Sequence, residues 1–139
     1  MTDTTSRTDT PRTDAAVRTW PGVLALDLVL IVVFAALGRQ SHEHGLTLPG
    51  ILATALPFLL ACLLSWAATR AWRRPAQLWP AGVVIWLGTV AAGLAIRALA
   101  GGGTAVSFQV VTLAVLGVFL LGQRAAWTAA ARRRHRAIH

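Results

Sequence analysis

The sequence predicts an all-α, multi-pass membrane protein, with four transmembrane helices in two hairpins and both termini on the cytoplasmic side. Three observations carry this expectation. Hydrophobic residues make up 55% of the 139-residue chain and charged residues only 13%, about half the roughly 25% of a soluble domain. The apolar residues gather into four long runs with few charges inside them. The arginines lie mostly between and beyond those runs, as the basic residues of bilayer proteins do.

Taken in order, residues 1–20 form a polar tail rich in Thr, Asp and Arg. It carries too little apolar surface to offset its ordering entropy and is expected to be disordered. A four-helix transmembrane domain is expected over residues 21–126. Its first run, "PGVLALDLVLIVVFAALG", spans residues 21–38 and is interrupted once, by Asp27. A charge there is unlike the uninterrupted apolar core of a cleaved signal, so this run reads as a retained helix. The second run covers residues 48–69 and contains Pro57, which removes a backbone donor and is expected to kink it. The third covers 80–100 with Arg97 near its end, and the fourth covers 106–122. Each approaches the roughly 20 residues needed to cross the hydrocarbon core. Residues 127–139 form a basic tail ending in "RRRHRAIH", suited to holding topology and meeting anionic headgroups.

Orientation follows from the arginines. Arg7, Arg12 and Arg18 precede the first run; Arg70, Arg73 and Arg74 separate the second from the third; Arg124, Arg132, Arg133, Arg134 and Arg136 follow the fourth. Of 13 basic residues, only Arg39 and Arg97 fall toward the other face. The positive-inside rule therefore places both termini in the cytoplasm and the protein in the cytoplasmic membrane. Trp20, Trp72, Trp79 and Trp127 fall at the same predicted interface, where an indole keeps its N–H wet.

The net charge of +8 does not argue for nucleic acid, because its arginines flank apolar runs instead of forming a patch on a soluble surface. The single cysteine, Cys62, excludes an intrachain disulfide and reads as a packing residue. No serine–histidine–acid set, dinucleotide loop or complete metal motif is present in the sequence, and no cofactor is expected.

The ionisable residues in or near the runs are the functional candidates. Arg97 shares a helical stripe with Gly93, Val90 and Trp86. It reads either as an interfacial anchor or as a cation that binds an anion or pairs with Glu43. Asp27 is a candidate intramembrane functional acid, serving as structural glue or in proton-linked work. It is too far along the helix to pair with Arg39, and Trp86, Ser65 or Thr69 are its expected partners. The segment "SHEH" offers His42 and His44 around Glu43, fewer ligands than a zinc site requires. "AGGGTAVSF" lacks the Walker lysine and reads as a turn whose Thr104 or Ser107 caps the fourth helix. Gln109, Thr112 and Gln123 fall near one face of that helix and suggest interhelical hydrogen bonds.

"LDLVLIVVFAALGRQSH", the "PF" at Pro57 and Phe58, "PAGVVIWLGTVAAGLAIR" and "GGGTAVSF" together resemble a domain-of-unknown-function family of small prokaryotic membrane proteins, frequent in actinobacteria. The resemblance covers about residues 22–122. Matching positions include Asp27, Gly38, Arg39, Ser41, His42, Pro57, Trp86, Arg97, Thr104, Ser107 and Phe108. It implies a four-helix integral membrane protein and brings no activity, substrate or cofactor with it.

The functional expectation is a non-enzymatic bilayer protein with an outer polar site formed by Arg39, Ser41, His42, Arg97, Thr104 and Ser107. That site suits an anionic lipid or small molecule, with permeation requiring a homo-oligomer. An accessory subunit of a membrane complex is the alternative. A lipid-acting enzyme using His42 with Ser41 or Ser107 is the remaining one.

Overall fold

The computed structural model describes residues 11–40, 47–102 and 105–137, with side chains from Thr19 onward and not at 39–40. Four α-helices dominate it: α1 (Pro11–Gln40), α2 (Leu48–Thr69), α3 (Val83–Leu99) and α4 (Val106–Ala137). There is no strand among the described residues. All four helices are long and apolar enough to cross a membrane, over Thr19–Gly38, Leu48–Thr69, Leu78–Leu99 and Val106–Ala137. This is the all-α, four-span architecture expected from the apolar runs.

Local chemistry sets the helix ends. Thr47 caps α2, its hydroxyl accepting from the Gly50 amide at 3.3 Å, and Pro49 occupies the first turn, where its missing N–H costs nothing. The helix stops at Arg70, which takes the left-handed conformation (φ 50°, ψ 46°) and turns its N–H back onto the Ala67 and Trp66 carbonyls. A short 3-10 turn (Ala71–Arg73) and a wide turn (Leu78–Gly82) lead into α3. After α3, Gly101 adopts φ +83°, a value that favours glycine, and the Gly102 amide bonds the Arg97 carbonyl at 2.9 Å. The helical backbone of α1 reaches back to Pro11, and α4 continues to Ala137, so regular helix extends into both segments that composition marks as polar tails.

Each helix packs on its successor, and α4 returns to α1, closing an up-down-up-down ring. Inward stripes recur at four-residue spacing: Val23, Asp27, Ile31 and Ala35 on α1; Phe58, Cys62 and Trp66 on α2; Ile85, Thr89 and Gly93 on α3; Thr112, Leu116, Leu120 and Arg124 on α4. The opposite faces carry exposed Leu, Val and Trp, the inverse of a soluble bundle and the expected surface toward lipid. Gly93 leaves room for the Phe58 ring of α2, which a Cβ there would overlap.

Chain order gives the bundle two distinct ends. One holds the start of the α1 span, the α2–α3 connection and the end of α4. The other holds the α1–α2 and α3–α4 connections.

Candidate functional site

The first end contains a buried polar centre built on Asp27, which is fully inaccessible. Its carboxylate accepts four hydrogen bonds. Arg124 grips it with both terminal nitrogens, Nη1 to Oδ1 at 2.9 Å and Nη2 to Oδ2 at 2.7 Å. The Trp66 indole donates to Oδ2 at 2.8 Å, and the Gln123 amide donates to Oδ1. A carboxylate has about four lone-pair positions, so the group is saturated. Gln123 also reaches the Val23 carbonyl at 3.2 Å and accepts from the Trp127 indole at 3.2 Å. Arg124 additionally donates to the Leu120 carbonyl of its own helix at 2.9 Å, and its Cζ lies 5.8 Å from the Trp66 ring centre. Three helices, α1, α2 and α4, therefore meet in one ionic network.

Burying either charge alone would be prohibitive; together, with hydrogen bonds closing the remaining valences, they become tolerable. The Arg124 Nε has no hydrogen-bond partner among the described residues. Gly82 makes space for the arginine stem, as a Cβ there would lie 3.0 Å from Arg124 Cδ.

These partners differ from those expected. Trp86 donates instead to the Leu113 carbonyl at 2.9 Å, Ser65 to the Ala61 carbonyl at 2.8 Å, and Thr69 to the Ser65 carbonyl at 2.8 Å. Ser65 and Thr69 satisfy their hydroxyls on their own helix, while the long Arg124 and Trp66 side chains cross the interior. Of the polar face expected on α4, Gln123 makes interhelical bonds, but the Thr112 hydroxyl turns back to the Phe108 carbonyl at 2.7 Å.

At the opposite end, Phe34, Phe58 and Phe108 form an aromatic cluster with ring centres 5.7 to 6.4 Å apart. Arg97 lies over it, its Cζ 4.6 Å from the Phe108 centre, a cation–π arrangement. The turn after α3 folds onto the same side chain: a Cβ on Gly102 would come 2.7 Å from Arg97 Cγ. Arg97 is half-buried and Ser107, one residue before Phe108, is exposed. Arg39 stands in the last turn of α1, with its side chain outside the described part. Ser41, His42 and Thr104 lie outside the described residues, as do Glu43 and His44. Among the described residues, no three of His, Cys, Asp and Glu are placed to hold a metal ion.

The family model DUF3054, described as a protein of unknown function, matches residues 24–127. The chain belongs to this family. The DUF3054 match takes in Asp27, Trp66, Gln123 and Arg124 of the polar centre and the Arg97–Phe108 pair, and it ends before the arginine run that closes α4. It agrees with the resemblance carried by the sequence, and with the four membrane-capable helices it makes this a membrane protein. No curated protein and no solved structure matches the chain.

Proposed function

We propose that this DUF3054 protein is a non-enzymatic component of the cytoplasmic membrane, with both termini cytoplasmic. Its outward-facing end binds an anionic group and, in an oligomer, lets it pass. The observation that carries this reading is Arg97, held over Phe108 at the end remote from the termini. A guanidinium carries five N–H donors and forms charge-assisted hydrogen bonds to oxyanions. Ser107 adjoins the same position, and Arg39 ends the neighbouring helix α1. Together with Ser41, His42 and Thr104, these groups would give a basic, hydroxyl-bearing rim over an aromatic floor.

Asp27 has a different part in this reading. Four donors and a buried counter-ion support a structural role for it, with the functional polarity left to the other end.

The test is native mass spectrometry of gently extracted protein, comparing wild type with Arg39→Ala/Arg97→Ala. A co-extracted anionic lipid or metabolite that disappears from the variant, with helicity and melting retained, is the expected result. Ligand-free spectra from both would overturn the reading and favour the accessory-subunit alternative, which crosslinking to a second protein in native membranes would then identify.

A further inference from the structure

A concavity on the lipid-facing surface lies between α3 and α4. It is an open groove of about 720 Å³, lined by Leu78, Trp86, Ala114, Val118, Gly122 and Ala125, among others, with almost no polar surface. That volume falls inside the roughly 300–1,000 Å³ of small-molecule sites. On α4 the lining runs from Val110 to Ala125, about 22 Å of helix. This exceeds half the ~30 Å hydrocarbon thickness, so one acyl chain can lie along it within a single leaflet. Gly122 borders open space there, since a Cβ added to it would meet nothing within 4 Å.

Charge selects the occupant. The groove ends at the same membrane face as the α4 C-terminus, and α4 remains helical to Ala137. Arg132 follows Ala114 by 18 residues, about five turns, and so stands on the groove's own face roughly 10 Å beyond Ala125. Arg136 continues that face one turn further. Both are exposed, as are Arg73 and Arg74, which precede the groove residue Leu78 on the α2–α3 connection. An apolar channel opening beneath four arginines matches a phospholipid with an anionic headgroup. A second copy docked in parallel would instead press two arginine runs together, a like-charge cost.

We infer that the α3–α4 groove is a binding site for one anionic phospholipid of the leaflet facing the chain termini. An acyl chain lies between Trp86 and Val118, and the phosphate is held by Arg132 and Arg136 with Arg73 and Arg74. This site is at the opposite end from the anion site proposed above and does not depend on it.

The test titrates delipidated full-length protein with phosphatidylglycerol and with phosphatidylcholine of the same acyl chains, read by native mass spectrometry. Two arginines at a membrane surface predict about a thirtyfold preference for phosphatidylglycerol. Arg132→Gln/Arg136→Gln should remove that thirtyfold share of the preference, leaving only what Arg73 and Arg74 supply, while phosphatidylcholine still binds, which it would not to a misfolded variant. Gly122→Phe, placed in open space, should weaken both lipids tenfold or more. Equal binding of the two lipids by wild type, or undiminished binding by Gly122→Phe, would overturn the inference. So would a wild-type dimer that Gly122→Phe dissociates, which would assign the groove to a second copy.

Discussion

Asp27 and Arg124, 97 residues apart, form a bidentate ion pair from which solvent is wholly excluded. The pair joins the first transmembrane helix to the last and closes the ring of helices. Removing one partner strands a charge in a medium that cannot solvate it, at a cost of about 3–5 kcal/mol. Asp27→Asn and Arg124→Gln should each lower stability by that amount in detergent, followed by circular dichroism through unfolding. The double variant should lose clearly less than the two costs added, since it leaves no charge behind. Strict additivity would mean that the two residues do not act as a pair.

The Trp66 indole supplies a third anchor to the same carboxylate, at 2.8 Å. A hydrogen bond to a charged acceptor contributes about 1.5–3 kcal/mol, whereas neutral bonds between membrane helices average about 0.6 kcal/mol. Trp66→Phe should therefore destabilise the bundle more than Trp86→Phe, whose indole bonds a neutral carbonyl. Paired melting curves of the two variants measure the difference. The opposite order would show that ring packing, and not the carboxylate bond, dominates at position 66.

Much of this architecture can be read from the amino acids, because a membrane span is specified by length and apolarity alone. The centre is less legible. Asp27 announces itself as a charge within a helix, but Arg124 follows the last apolar run by two residues and resembles its neighbours in the basic tail. Only the helical continuation of α4 reveals it. With the helix unbroken, Arg124 completes the four-residue series Thr112, Leu116, Leu120, and that spacing is the signal that could have paired it with Asp27. Trp66 hides similarly, three residues from the end of α2, where a tryptophan suggests an interfacial anchor. At the other end, Arg97 and Phe108 are individually conspicuous, but their contact depends on how the glycine turn brings α3 and α4 together.

Glycine substitutions should separate packing from propensity. Gly93→Ala places a methyl group against the Phe58 ring, between α2 and α3, and should cost about 1–3 kcal/mol through overpacking. Gly122→Ala and Gly38→Ala meet nothing within 4 Å and should gain about 0.5–1 kcal/mol from reduced chain entropy. Thermal midpoints of the three variants in one detergent make the comparison. A neutral Gly93→Ala would show that α2 and α3 can separate slightly without loss.

The proposed orientation does not depend on Arg124, which withdraws into the interior. Arg124 is neutralised by Asp27 and contributes little to a surface bias, but Arg70, Arg73, Arg74 and the run from Arg132 to Arg136 remain exposed at that end. Cysteine labelling in intact cells can test the result, because the native Cys62 is fully buried and should stay silent. Ala100→Cys, in the exposed turn after α3, should react with a membrane-impermeant maleimide added outside. Ala130→Cys, exposed on the α4 extension, should react only after the membrane is permeabilised. The reverse pattern would invert the protein, put Arg97 in the cytoplasm, and place the arginine-flanked groove in the outer leaflet.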